Sequence, residues 1–71
     1  MIIHKWNIGI TLNCGKEMTC TYDGEEDNSL DVGKTLLQGG PNDIIALGDG
    51  KRTTQYFIKK GEIACMAISV R

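Results

Sequence analysis

The chain has 71 residues, eight of them basic and nine acidic, for a formal net charge of -1. That length holds one domain, residues 1–71, and a charge balance this close to zero argues against a protein that lives on phosphate contacts or mimics a polyanion. Below ~70–80 residues a single core seldom supplies more than a few kcal/mol, so a partner subunit, a disulfide or a metal is usually added.

Ile2 to Leu12 alternate as a half-buried strand does, with Ile2, His4, Trp6, Ile8, Ile10 and Leu12 on one face. Asn13-Cys14-Gly15-Lys16 supplies turn residues, and Lys16 to Tyr22 returns with Met18, Cys20 and Tyr22 on the same side. These two strands are expected to form a hairpin with one apolar and one wet face. Asp23 to Asn28 is a polar loop, after which Ser29 can cap a short helix with Asp31 in its first turn and Leu30, Leu36 and Leu37 as its apolar stripe. Gly33 weakens that helix, and Gly39-Gly40-Pro41 ends it. Asp43 to Leu47, the turn Gly48-Asp49-Gly50-Lys51 and Thr53 to Lys59 make a second hairpin. Lys60-Gly61-Glu62 turns again into Ile63 to Val70.

This last strand is apolar on both sides: Ile63, Cys65 and Ala67 on one, Ala64, Met66, Ile68 and Val70 on the other. Such a strand is expected at the centre of a covered sheet or against another subunit. The second set, Ala64, Met66, Ile68 and Val70, is the expected contact of a homo-oligomer. The whole is an α+β domain: a small antiparallel β-sheet or partly closed barrel with one short helix, in the order β-β-α-β-β-β.

The three cysteines, Cys14, Cys20 and Cys65, form no CxxC pair and match no common zinc spacing. Cys20 and Cys65 are expected as small buried groups and Cys14 in an exposed turn. No metal and no cofactor are expected. The alternation Asp23, Glu25, Asp27, Ser29, Asp31 lacks the Gly and Glu of a calcium loop, and Gly48 to Lys51 is too short for a phosphate-binding loop. His4, the single histidine, has no nucleophile or carboxylate in an arrangement that would make it a catalytic base, so no enzyme is expected. No segment reaches the ~20 apolar residues of a membrane span, and the start of the chain lacks a signal-peptide pattern. A cytoplasmic protein is expected.

Lys51, Arg52, Lys59, Lys60 and Arg71 are the basic cluster, with Tyr56 and Phe57 among them. Such a set can hold an anionic nucleotide or single-stranded nucleic acid, and it can equally solvate strand ends. If a ligand is held, Lys51, Arg52 and Lys59 are the expected anion contacts and Tyr56 the stacking ring.

Trp6-Asn-Ile-Gly-Ile-Thr-Leu, a Gly-Lys turn, a short helix and finally Tyr56-Phe57-Ile58-Lys59-Lys60-Gly61-Glu62-Ile63-Ala64 together give a pattern that covers most of the chain. It resembles small proteins encoded by phages and prophages of Gram-positive bacteria, which often close with a Phe-Ile-x-Lys-x-x-Ile strand pair. The resemblance implies a non-catalytic accessory protein that inhibits host defence, either by occluding a host protein or by sequestering a signalling nucleotide between subunits. It fixes no site residues. The alternative is a small oligomeric nucleic-acid binder of the Sm-like kind, although the helix here follows the second strand.

Overall fold

The computed structural model describes residues 2–51 and 53–70. Five strands form one antiparallel sheet: β1 (His4–Leu12), β2 (Glu17–Gly24), β3 (Ile44–Gly48), β4 (Gln55–Lys59) and β5 (Ile63–Val70). One helix, α1 (Ser29–Leu37), lies between β2 and β3, and a 3-10 turn at Lys60–Glu62 separates β4 from β5. The strand order across the sheet is β4-β3-β2-β1-β5, so β4 and β5 are its edges and the sheet does not close.

The first hairpin follows from the alternation of β1. Trp6, Ile8 and Ile10 point inward and stand opposite Tyr22, Cys20 and Met18 of β2. Its turn is made by Gly15 at φ 92, which donates its N–H to the Leu12 carbonyl at 2.9 Å. Glycine takes that left-handed conformation without the clash a Cβ would bring.

A flat sheet cannot accommodate the rest of the chain. Four strand spacings put the two edges about 19 Å apart, yet the four residue steps from Lys59 to Ile63 reach at most about 14 Å. The sheet therefore coils. Hydrogen bonds record where its ends meet: Asn13 N–H to the Glu62 carbonyl (2.8 Å), Lys60 N–H to Asp43 (2.9 Å) and Gly61 N–H to Pro41 (2.9 Å). Among the described residues a single pair, Thr21 with Gly48, joins β2 to β3. The β3–β4 hairpin is thus joined to β2 at one corner, and its other end is tied through the 3-10 turn at Lys60–Glu62. Ile45, Leu47 and Ile58 of the hairpin complete a core with Trp6, Ile8, Ile10, Cys20, Val32 and Leu36.

The helix departs from the sequence expectation in two ways. Its cap is Asn28 and not Ser29: the Asn28 side chain accepts from Asp31 N–H at 2.9 Å and donates back to the Asp31 carboxylate at 3.0 Å. The acidic residue three positions into the helix thus engages the cap reciprocally. Its buried residues are Val32 and Leu36, one turn apart, whereas Leu30 and Leu37 are exposed. Leu30 and Leu37 share a different, outward face, with half-buried Gly33 at its border beside β5, because at 3.6 residues per turn positions 30 and 37 line up with each other and not with 36.

Gly33 faces β5. A Cβ built there would meet Ile68 Cδ1 at 3.5 Å, an ordinary contact. Gly33→Ala is therefore expected to stabilise the protein by about 0.5–1 kcal/mol, a few degrees in Tm, by restoring helix propensity. A thermal melt followed by circular dichroism checks this; a lowered Tm would show that the border between the helix and β5 has no room for a methyl group.

The final strand is an edge and not a central strand. Its register against β1 runs from Trp6–Val70 to Thr11–Cys65 and then slips to Leu12–Ile63, so Ala64 is the extra residue of a bulge. The bulge returns Ile63 to the face of Met66 and Ile68. The other face of β5 then holds Cys65, Ala67 and Ser69. Cys65 is consequently exposed, contrary to the expectation of a buried thiol, while Cys20 is buried and Cys14 exposed.

Candidate interaction surface

The sequence offered Lys51, Arg52, Tyr56 and Lys59 as one ligand site. The structure does not bring the described members together. Lys51 lies in the loop before β4 and Lys59 ends that strand, so the two cations stand at opposite ends of the hairpin. Tyr56 lies opposite Leu47 and packs half-buried against the core, on the inner side of the sheet. Arg52 lies outside the described residues.

What the outer side of the hairpin does present is Phe57. Its ring is 69% exposed, Ala46 is its cross-strand partner, and Ile44, opposite Lys59, is 61% exposed. Two large apolar side chains, one small one and one cation thus share a solvent face of about two residues by two. Sequence reasoning assigned the stacking role to Tyr56. The parity of β4 marks Phe57 as the exposed ring: Tyr56 alternates with it, and Ile58, the one aliphatic residue of the strand, marks the buried side.

The remaining outer face is small and polar. Asn7, Gly9 and Thr11 of β1 lie beside Thr21, Thr19 and Glu17 of β2 and beside Ser69, Ala67 and Cys65 of β5. Gly9 leaves a shallow dip between Ala67 and Thr19.

The loop that carries Lys51 is organised by Asp49. Its carboxylate accepts from Thr53 Oγ1 at 2.6 Å and from Lys51 N–H at 2.8 Å, and Gly50 adopts φ 81 between them. The Thr53 bond, then the Lys51 bond, hold the Asp49 carboxyl below its usual range. A depressed carboxyl pKa orders the loop above the unfolded value and releases it as pH falls through the folded one. Hydrogen exchange at the Lys51 amide is accordingly expected to lose protection only below the ordinary aspartate range. Loss of protection at or above that range would mean that Asp49 does not hold the loop.

The acidic segment is used internally. Tyr22 donates its hydroxyl to Glu26 at 2.9 Å, and that carboxyl is lowered by backbone hydrogen bonding, by Thr35 and by Tyr22. Burial, then the Glu26 hydrogen bond, push the Tyr22 phenol up. Burial and the negative charge of Asp49 raise the Cys20 thiol. Asp31 is spent on the helix cap. His4 is half-buried at the end of β1, opposite Gly24.

Comparisons of the chain with protein-family models, curated proteins and solved structures find no match. No helix among the described residues is long and apolar enough to cross a membrane.

Proposed function

We propose that this is a small, non-enzymatic binding protein of the phage accessory kind, which acts in the host cytoplasm by covering the surface of a host defence protein. The observation that carries the reading is the outward patch of Phe57, Ile44 and Ala46 with Lys59 at its rim. An exposed aromatic ring among aliphatic neighbours, with charge confined to the rim, is the residue make-up enriched at the core of protein interfaces. Sequestration of a nucleotide by Lys51, Lys59 and Tyr56 is less well supported, because those groups do not converge on one face.

The test is affinity capture from a host extract, with identification of the retained protein and then a binding titration against it. Phe57→Ala is expected to weaken that complex at least tenfold, equivalent to about 1.4 kcal/mol, with an unchanged melting temperature. Retained affinity in the variant would overturn the reading.

A second reading has one specific support. Phe57 and Lys59 on a common face could stack and neutralise single-stranded nucleic acid. Fluorescence anisotropy with a labelled oligonucleotide at low salt decides between the two. Binding that is lost in Phe57→Ala and falls steeply with salt favours the nucleic acid; no binding leaves the protein partner.

A further inference from the structure

β5 and α1 meet at one border of the molecule. β5 is eight residues long, Ile63-Ala-Cys-Met-Ala-Ile-Ser-Val70, carries no charge and forms the edge of the sheet. The other edge, β4, is five residues and carries Lys59. Natural proteins blunt edge strands with short length, charge or proline, because an edge is a row of unpaired backbone donors and acceptors. β4 shows two of these devices; the only irregularity of β5 is the bulge at Ala64, at its start.

The helix lies alongside. Gly33 approaches Ile68, and Lys60, just before β5, hydrogen-bonds the Gln38 carbonyl at the helix end. The helix therefore runs antiparallel to β5. Beside Gly33 its outward side forms a shallow, mostly apolar groove of Leu30, Gly33 and Leu37, bordered by Ser29, Lys34 and Gln38. Leu30 is 66% and Val70 73% exposed.

We infer that this border is where a second copy of the chain docks, with β5 pairing antiparallel to β5 of the other copy and the two Leu30–Leu37 faces packing against each other across the two-fold axis. The occupant is chosen by charge and symmetry. An uncharged strand paired antiparallel with itself sets no like charges opposite one another. A two-fold axis also brings strand to strand and helix to helix with one operation. The patch is roughly 26 Å long and about 15 Å wide by strand rise and helix diameter. Its area of about 400 Å² per partner is half that of a standard interface, so the dimer forms in a concentration-dependent way. This surface is separate from the Phe57 patch, so the two proposals stand or fall independently.

Sedimentation velocity over a wide range of protein concentration tests the inference. The wild-type protein is expected to pass from monomer to dimer. The double variant Ala67→Lys, Ser69→Lys, at exposed outer positions of β5, is expected to stay monomeric with an unchanged melt. Hydrogen exchange at high against low concentration gives a second readout: amides of β5 should slow on dimerisation while those of β4 do not. A wild-type monomer at every concentration overturns the inference, as does a double variant that dimerises normally or protection that falls on β4 instead.

Discussion

Ile8→Ala is expected to leave the protein largely unfolded at room temperature. Ile8 is fully buried at the middle of β1, with Cys20 opposite on one side and Ile68 on the other. Deleting three carbons there loses their transfer free energy and leaves a cavity, together about 2–5 kcal/mol. Both flanking strands are hydrogen-bonded in place, so the site has little freedom to collapse. A chain of this size has only about 3–5 kcal/mol to lose. The far-UV circular dichroism of the variant should show no cooperative melting transition. Ile8→Val, which removes one methyl group, should keep the transition and cost about 1 kcal/mol. A cooperative melt for Ile8→Ala within a few degrees of wild type would mean that the core can close over the gap.

Gly61→Ala is expected to cost about 1–3 kcal/mol although it adds a single methyl group. A Cβ at Gly61 would stand 2.9 Å from Pro41 Cβ and 3.0 Å from the Pro41 carbonyl oxygen. That carbonyl is the acceptor for the Gly61 N–H. The backbone on both sides is therefore too close to move aside without breaking the bond that ties the 3-10 turn to the segment before β3. Gly40→Ala is the control, since a Cβ there meets nothing within 4 Å. Urea titration of the two variants should separate them. Loss of exchange protection at the Gly61 and Lys60 amides should accompany the Gly61→Ala destabilisation, and equal stability of the two variants would remove the steric account.

Much of this fold was legible because one face of β1 is continuous: Trp6, Ile8 and Ile10 alternate with polar or small residues and have no competing period. The fold class followed from that alternation and from glycine-bearing turns at both hairpins. The helix was legible as an element but not in its facing. Leu30, Leu36 and Leu37 look like a stripe only if residue type is read without the 100° step between neighbours, and Val32 was missed for the same reason. The position of β5 was not legible. Whether an apolar strand lies at a centre or an edge depends on which distant strands pair with it, and the bulge at Ala64 that re-faces Ile63 leaves no mark in residue type. The placement of the candidate site residues was the least legible. Lys51 and Lys59 lie eight positions apart in the chain, yet the strand between them is extended and holds them apart; residue type alone points to Tyr56 as the stacking ring, whereas the parity of β4 exposes Phe57.

The pairing of β1 with β5 has a consequence for how the protein comes into being. Ile8 and Ile10 receive one neighbour from β2 within about a dozen residues, but the other arrives only with Met66 and Ile68. A growing chain on the ribosome therefore carries a half-built sheet, with β1 open along one side, until nearly all of the chain shown here has emerged. Non-local pairing of this kind is slow and leaves sticky edges exposed in the interval. A shortening that reaches into Ile63–Val70 would leave the strand that anchors the core without its second neighbour, and such a fragment should be cleared by proteases.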